Sequence, residues 1–340
     1  MTSLPKTYKA AVVPKGGEPI VIKEVELKQP GPGQVLVKVL ACGVCHTDLF
    51  ISSGAFGDVF PRVPGHEIVG DVVSIGENVT RFTNGDRVGG PWHGGHDNTC
   101  RSCARGQYQI CDNSKVNGLS FDGGYAEYVL LREEAVVRVP KDADAAQVAP
   151  LLCAGVTTFN AMRKQHVEQG NLVAVQGLGG LGHLAVQYAN KMGYRTVAIS
   201  SGSSKREFAR ELGAHEYIDT SKEDPIQALQ GLGGAAMIVS TAPNAKSISP
   251  LINGLQAGGK LIILAPVGPV EFDSNVLITK GASVTGWPSG HALDSEEAIA
   301  FATNHGVKCL IEKFPLDDVA QAMEHCHAGR VRFRGVLTMS

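Results

Sequence analysis

Three side chains with an affinity for zinc stand far apart in the sequence, at Cys45, His66 and Cys153. Two thiolates and one imidazole form a natural set of zinc ligands, and three protein ligands leave the fourth tetrahedral position to water or substrate. An open position of that kind is typical of a catalytic zinc ion. Taken singly, Cys153 would more often be a buried apolar thiol and His66 an ordinary loop histidine, so the interpretation depends on their occurring together.

A second group of cysteines has a shorter spacing, with Cys100, Cys103 and Cys111 in a polar, glycine-rich stretch. Close spacing of this type suits a structural zinc site that is closed to solvent. Three cysteines leave such a site one ligand short. The alternative is a lobe of reduced thiols that is held by packing alone.

Residues 171–190, NLVAVQGLGGLGHLAVQYAN, combine an apolar strand pattern, a glycine-rich turn and an amphipathic helix pattern. Glycines at this junction let the chain turn sharply, let bare backbone approach a diphosphate and let the helix lie close to the sheet. The amides at the start of the helix would face the diphosphate. A glycine-rich turn in this context predicts a dinucleotide site rather than a plain loop, and the predicted cofactor contacts are Gly177, Gly179, Gly180, Leu181 and Gly182.

The rest of the chain provides two settings for these residues. A length of 340 residues favours two domains. From residue 8 to about 150, short alternating runs such as Val35, Val37 and Val39 are broken by Pro and Gly, which predicts a mostly β domain. From about 154 to 287, strands and helices alternate, which predicts a parallel sheet with helices on both faces and an α/β fold class.

The pattern of apolar residues also predicts several helices and a final segment later in the chain. Helices are predicted from Ser204, Ser295 and Leu316, and the closing run VRFRGVLTM is expected to return to the first domain.

These motifs together resemble the zinc-dependent alcohol dehydrogenases of the medium-chain dehydrogenase/reductase family, over essentially the whole chain. The resemblance implies a GroES-like, mostly β catalytic domain (1–153 and 288–340, with a zinc lobe near 93–113) and a Rossmann doubly wound parallel-sheet domain (154–287). The length is most similar to the microbial, yeast-like, often tetrameric branch. A homo-oligomer, either a tetramer or a dimer, is therefore expected.

The resemblance also assigns roles to residues around the metal. Cys45, His66 and Cys153 become the catalytic zinc ligands, with Glu67 as an occasional exchange ligand and Asp48 orienting His66. The hydroxyl of Thr47 would relay the proton of the alcohol. The family's structural site has four cysteines, and this chain has an acid at the first position, so the expected structural ligands are Asp97, Cys100, Cys103 and Cys111.

In the same comparison, Phe50 stands where the nearest pattern has the histidine that completes the proton relay. His46 resembles the residue that meets the cofactor diphosphate, and Thr157 resembles a nicotinamide contact. An aromatic lining favours hydrophobic primary alcohols or their aldehydes over polyols, and the expected pocket walls are Phe50, Phe56, Trp92 and Trp287.

The nucleotide preference is predicted from the segment after the second Rossmann strand. About twenty residues beyond a dinucleotide turn, an acid normally holds the ribose 2′-hydroxyl and repels a 2′-phosphate. This chain instead has hydroxyls and two cations, similar to NADP-dependent cinnamyl-alcohol-type relatives, at Ser200, Ser201, Lys205 and Arg206. NADP(H) is therefore favoured over NAD(H), with Ser204 as a helix cap and two solvated cations as the alternative.

Charge and composition limit the classes of partner and the cellular location expected for the protein. The net charge of −2 offers no basic face for nucleic acid, and no run approaches the ~18 apolar residues of a membrane span. Eight cysteines are too sparse for a disulfide scaffold, so a cytoplasmic protein is expected. The resemblance implies a small-molecule alcohol or aldehyde as its substrate.

Three other functions stay open at this point. One is a specialised-pathway reductase of a conjugated aldehyde or an iminium. Another is a cofactor-binding protein without turnover, and the third is a metal-free quinone reductase. The three zinc ligands disfavour the last two.

Overall fold

The computed structural model describes residues 4–339. They divide into two compact units. One unit takes the residues up to 156, those from 289 to 300 and those from 309 onward, and the other takes Thr157–Pro288 and Phe301–Lys308. Relative to the expected domains, the first boundary lies inside a helix, three residues after 153, and residues 301–308 join the second unit. Phe301 explains the latter, because its ring packs against Phe159 (5.1 Å between centroids) and Tyr188 (5.9 Å) of that unit.

Seventeen strands lie within the described residues, numbered here in chain order. They are β1 (Thr7–Val12), β2 (Val21–Glu26), β3 (Gln34–Val44), β4 (Ile68–Ile75), β5 (Arg87–Gly90), β6 (His93–Gly95), β7 (Lys115–Val116), β8 (Tyr128–Arg132), β9 (Val137–Arg138), β10 (Leu172–Gln176), β11 (Arg195–Ser200), β12 (Glu216–Asp219), β13 (Ala235–Ser240), β14 (Leu255–Ile263), β15 (Ser283–Gly286), β16 (Ile311–Pro315) and β17 (Arg334–Thr338).

The same residues form eleven α-helices. They are α1 (His46–Ser52), α2 (Arg101–Ala104), α3 (Ala145–Val148), α4 (Ala154–Arg163), α5 (Gly182–Lys191), α6 (Arg206–Glu211), α7 (Pro225–Gly231), α8 (Ala245–Ile248), α9 (Ser274–Lys280), α10 (Ala292–His305) and α11 (Val319–His327). Short 3₁₀ helices span Tyr108–Ile110, Glu133–Ala135, Ala149–Leu152, Ser203–Lys205, Ser249–Gly254 and Leu316–Asp318.

The first unit is built on a seven-stranded sheet in the order β16-β17-β3-β4-β5-β9, with β8 also paired to β3. The long strand β3 therefore pairs with three neighbours, β4, β8 and β17, all antiparallel. Val35, Val37 and Val39 are completely buried, as their alternation predicts for a face that points into the core. The closing strand β17 returns to this sheet, and the prediction of a mostly β, GroES-like domain is confirmed.

The second unit contains a six-stranded parallel sheet in the order β12-β11-β10-β13-β14-β15. In order of appearance this is 3-2-1-4-5-6, the doubly wound Rossmann order. All five residues of β10 are buried, because its two faces are covered in such a sheet. The Rossmann prediction is confirmed, and the glycine turn follows the central strand.

Three helix starts differ from the prediction by a few residues. The helix expected from Ser204 begins as the 3₁₀ turn Ser203–Lys205 and becomes α-helical at Arg206, with no side-chain cap. The helix expected from Ser295 begins at Ala292. The one expected from Leu316 is first a 3₁₀ turn, Leu316–Asp318, and then α11. Patterns of apolar residues locate a helix better than its first turn, where 3₁₀ geometry is common.

In the glycine turn, a side chain would be excluded sterically at some positions and accommodated at others. Gly177 has φ +95°, in the left-handed region that favours glycine. A Cβ built on Gly182 would overlap the carbonyl oxygen of Gly177, whereas a Cβ on Gly179 meets nothing within 4 Å. Gly182 therefore sets how closely α5 packs on the turn, while Gly179 leaves open space beside the backbone.

No single helix within residues 4–339 is long and apolar enough to cross a membrane, and one bent pair, Ala145–Leu152 with Ala154–Arg163, qualifies by length and composition alone.

We expect Gly182→Ala to lower the thermal unfolding midpoint by about 1–4 °C, because the methyl group needs backbone displacement that costs about 1–3 kcal/mol. Gly179→Ala is the matched control, since its methyl group enters open space. Scanning calorimetry of both variants tests this. Equal midpoints for Gly182→Ala and the wild-type protein would contradict the packing argument.

Candidate functional site

The predicted zinc ligands come together in the first unit. Cys45 follows β3 and starts α1, His66 precedes β4, and Cys153 follows the 3₁₀ helix Ala149–Leu152. One ligand atom from each, together with a carboxylate oxygen of Glu67, lies within 4.8 Å of the others. The sulfur atoms of Cys45 and Cys153 are 3.9 Å apart. The fold thus gathers the residues that the sequence pattern singles out.

Asp48 is the buried centre of this arrangement. Its Oδ1 accepts hydrogen bonds from His66 Nδ1 (3.0 Å) and the Gly65 amide (3.3 Å). Its Oδ2 accepts from the Cys45 amide (3.0 Å) and the Tyr125 hydroxyl (2.8 Å). One carboxylate therefore fixes two metal-ligand positions, and Tyr125 is a supporting residue that sequence reasoning missed because it lies 77 positions away.

His66 is oriented as a metal ligand. Because Nδ1 faces Asp48, the other ring nitrogen, Nε2, is the atom directed toward the cysteines. This Nε2 is buried and has no hydrogen-bond partner among residues 4–339. A buried nitrogen without a partner is costly, and a metal ion would satisfy it. The donor set of two sulfurs and one imidazole nitrogen therefore fits zinc.

The charged groups around Cys45 and His66 shift the pKa values of both side chains. The hydrogen bond with Cys153, reinforced by His66 and Arg334, lowers the pKa of Cys45 well below its usual value. Burial lowers the pKa of His66, but Asp48 and Cys45 outweigh it and raise that pKa overall. Because metal ligation needs the thiolate and the neutral imidazole, metal binding at these residues is expected to depend on pH.

Glu67 and Arg334 form a fully buried ion pair next to the ligands. Arg334 Nη2 donates to Glu67 Oε1, while Glu67 Oε2 and Arg334 Nε have no partner within the described residues. Burial raises the pKa of Glu67 to about 7, and the Arg334 charge limits that rise. Gly43 is needed opposite, because a Cβ there would overlap Glu67 Oε2. Sequence reasoning missed Arg334, whose only signal was its place in the closing strand.

Some of the residues expected beside the metal contact the metal ligands or one another. Thr47 Oγ1 lies 3.5 Å from the Cys45 sulfur, and the Trp92 ring meets His66 edge-on at 4.9 Å. His46 contacts the ring of Phe50 (5.3 Å) and stacks on His327 (5.8 Å), which the sequence analysis did not single out.

For two other predicted pocket residues and for the expected nicotinamide contact, the structure gives exposure and position in the fold. The Phe56 side chain is half-exposed. Trp287 lies in the second unit directly after β15. Thr157, the expected nicotinamide contact, begins the second unit. Their roles stay predictions.

The second cysteine cluster is also assembled. Asp97 Oδ1 accepts from the thiols of Cys111 (3.4 Å) and Cys103 (3.8 Å), and the sulfurs of Cys100 and Cys111 are 3.9 Å apart. Hydrogen bonds from Thr99 and Asn113 hold the pKa of Asp97 well below its usual value. Backbone hydrogen bonds, the first from Asp112, lower the pKa of Cys100 to about 7. One carboxylate and three thiols thus lie within 4.8 Å of one another, as a closed zinc site requires.

The glycine turn is fixed by polar side chains of the neighbouring strand. Thr241 Oγ1 donates to the carbonyl of Gln176 (2.9 Å), directly before Gly177. Ser240 donates to the Gln176 side chain (2.7 Å), which in turn donates to Ser247 (3.0 Å). Leu181 is the N-cap residue of α5 and makes no side-chain capping bond. The first turn of this helix therefore has no side-chain cap, and the His183 amide donates to the carbonyl of Gly179 (3.1 Å) in the glycine turn.

The segment after β11 differs from the expectation in one respect. Lys205 Nζ lies 3.3 Å from Ser200 Oγ, so a cation and a hydroxyl meet as predicted, and Ser201 is exposed. An acid is nevertheless present: Asp219, at the end of β12, is in register with Ser200. Asp219 is completely buried and lies on the next strand, so a search at the end of the second strand could not find it.

The comparisons with known proteins agree with this arrangement. The family model for the alcohol dehydrogenase GroES-like domain matches residues 31–141, and that for zinc-binding dehydrogenases matches residues 180–305. Over 338 residues the chain is 57% identical to the alcohol dehydrogenase patD of Penicillium expansum, covering 99% of each protein. A solved cinnamyl alcohol dehydrogenase of Sorghum bicolor (SbCAD4) is 32% identical, with a TM-score of 0.87 and 98% of both chains covered.

We expect Asp48→Asn to weaken zinc binding by about 10- to 100-fold, because the amide cannot match the carboxylate as an acceptor for His66 and Cys45. Tyr125→Phe is the matched control, since it removes one donor and leaves the carboxylate; its loss should be smaller. Competition with a chromophoric chelator measures both affinities. Unchanged affinity in Asp48→Asn would show that His66 is held by packing alone.

Proposed function

The chain belongs to the zinc-dependent alcohol dehydrogenases of the medium-chain dehydrogenase/reductase family, and on this premise we propose that it transfers hydride reversibly between a hydrophobic primary alcohol or aldehyde and NADP(H). Alcohol dehydrogenase activity follows from the family, while the nucleotide and the substrate class are the proposal. By the likeness to the often tetrameric branch, the proposal extends to a homo-oligomer.

The observation that carries the zinc part of the proposal is the buried Nε2 of His66 beside the two sulfurs. His66 has this nitrogen free of hydrogen bonds within residues 4–339, and Cys45 and Cys153 lie on the same side. When bound there, zinc acts as a Lewis acid on the substrate oxygen. A protein that only bound the cofactor would have no need for this donor set.

The chain's own residues then hold the ligands and handle the proton. Asp48 keeps the His66 imidazole in the tautomer that leaves Nε2 unprotonated. Thr47, whose hydroxyl is next to the Cys45 sulfur, is proposed to accept the proton of the alcohol. Phe50 is 38% exposed and apolar, so it cannot take the proton onward as a histidine would. Thr47 would pass its own hydroxyl proton on as it accepts that of the alcohol, and a bound cofactor would supply the next acceptor with its ribose hydroxyls.

The preference for NADP(H) is supported by the charges after β11. Lys205 and Arg206 supply two cations, and Ser200 and Ser201 supply hydroxyls, which together suit a phosphate. Asp219 is the nearest acid by strand register, and its Oδ1 already accepts from the Gly202 amide and from Ser221, so this oxygen is engaged within the protein. The segment therefore favours the nucleotide that carries the 2′-phosphate.

The preference for hydrophobic substrates is supported by aromatic rings near the metal ligands. Trp92 packs edge-on against His66, and Phe50 packs against His46, the residue next to Cys45. Such surfaces gain more from apolar than from polyhydroxylated substrates, because burying a hydroxyl without a partner is unfavourable.

We expect initial rates of aldehyde reduction to be higher with NADPH than with NADH, and higher with benzaldehyde-type than with short aliphatic substrates. Removing zinc with a chelator should abolish both rates, and added zinc should restore them. Cys153→Ser should behave as the zinc-free enzyme, whereas Cys326→Ala, a thiol outside the ligand set, should keep its rate. Activity with NADH alone would refute the nucleotide preference, and activity that survives zinc removal would refute the metal mechanism.

We further propose that Asp97, Cys100, Cys103 and Cys111 hold a second, structural zinc ion. Protein purified without added zinc should then contain two zinc ions per chain by mass spectrometry, and Cys103→Ser should contain one. Asp112→Ala, which removes a neighbouring exposed acid, is the matched control and should keep both. One zinc ion in the wild-type protein would contradict the structural site.

A further inference from the structure

Two side chains of β12 bind both backbone polar groups of Gly202, in the segment 200–206, which begins at the end of β11 in the second unit. The Tyr217 hydroxyl donates to the carbonyl of Gly202 (2.7 Å), and the Gly202 amide donates to Asp219 Oδ1 (2.9 Å). Gly202 has φ +92°, a conformation that favours glycine. The donor and the acceptor of this residue are therefore both held from the adjacent strand, and the course of the segment is set there.

Tyr217 also contacts the cation that follows. The guanidinium of Arg206 lies over its ring, with the carbon 5.1 Å from the centroid. A cation over a ring is attracted by the electron-rich face of the ring, and this contact does not use the N–H donors of the guanidinium in hydrogen bonds. Tyr217 itself is only 5% exposed, so the ring is held in place. The ring thereby favours a position of Arg206 from which its donors can bind an anion.

Asp219 braces the segment through one carboxylate oxygen. Its Oδ1 accepts from the Gly202 amide, and also from the Ser221 amide (3.0 Å) and hydroxyl (2.6 Å). The side chain is completely buried, and its Oδ2 has no partner within residues 4–339. The carboxylate thus fixes the course of the loop through Oδ1, while Lys205 Nζ lies 3.3 Å from Ser200 Oγ in the same segment.

We propose that Tyr217 is the positioning residue for nucleotide preference: by holding Gly202 and carrying Arg206, it shapes the segment to receive a 2′-phosphate. The inference rests on the proposed NADP(H) preference and names the residue that produces it. It assigns two separable parts to one side chain, the hydroxyl that fixes the backbone and the ring that orients the guanidinium.

The test compares three variants of the zinc-loaded enzyme. Tyr217→Phe removes the hydroxyl and keeps the ring, and Tyr217→Leu removes both. Tyr194→Phe is the matched control, since its hydroxyl makes a similar bond to the Val167 carbonyl (3.2 Å) at the opposite end of β11. Titration calorimetry with adenosine 2′,5′-bisphosphate and with 5′-AMP separates the affinity for the 2′-phosphate from that for the rest of the nucleotide.

We expect Tyr217→Leu to weaken the bisphosphate by about 5- to 10-fold, the scale of a lost cation–π contact together with a lost hydrogen bond. Tyr217→Phe should weaken it by about 3-fold, the scale of the hydroxyl bond alone. In both variants 5′-AMP should bind as in the wild-type enzyme, and the ratio of KM values for NADPH and NADH should move in parallel with the bisphosphate affinity. Tyr194→Phe should leave the ratio unchanged.

The outcomes distinguish a failure of the NADP(H) preference from a failure of the role of Tyr217. If the wild-type enzyme binds both probes equally, the NADP(H) preference fails and the role of Tyr217 fails with it. If the wild-type enzyme prefers the bisphosphate and Tyr217→Leu keeps that preference, only the role of Tyr217 is overturned. Equal weakening of both probes would likewise overturn it, because it would mean general damage to the nucleotide site.

Discussion

One buried carboxylate organises the metal site. Asp48 accepts four hydrogen bonds, from an imidazole, a phenol and two backbone amides, and these donors come from three separate stretches of the first unit. An ionised carboxylate can be this deeply buried only if its oxygens are satisfied. The requirement runs in both directions: the four donors hold Asp48, and Asp48 holds the turn of Cys45 and the ring of His66. The directions of these two ligands then determine which side of the metal site is left for water or substrate.

A second buried charge, on Glu67, is managed differently. Its partner is one guanidinium, that of Arg334, and one oxygen has no partner within residues 4–339. A carboxylate with an unsatisfied oxygen so close to the ligands is held less firmly than Asp48. The two acids therefore show two ways of placing negative charge near a cation, one rigid and fully bonded and one with a spare acceptor.

The sequence was sufficient for the parts of the site that depend on residue type and local spacing. Cys45, His66 and Cys153, the glycine turn and the parallel Rossmann sheet could be predicted because zinc chemistry and strand–turn–helix geometry constrain them locally. Tyr125, Arg334, Tyr217 and Asp219 could not, because each acts across a sheet or a long stretch of chain, and nothing local marks a tyrosine or an acid as the partner of a distant peptide. The placement of 301–308 escaped prediction for the same reason, since it depends on ring packing around Phe301.

The position of β17 in the first sheet has a consequence for the order in which the protein is made. β3 and the metal ligands are translated well before β17, which pairs with β3 and brings Arg334 to Glu67. Until β17 is made, this edge of β3 is uncovered and Glu67 has no cation, so a nascent chain must keep that acid protonated or hydrated. Completion of the surroundings of the metal site is thus tied to the synthesis of β17, and a chain that stops before β17 lacks the Arg334–Glu67 pair.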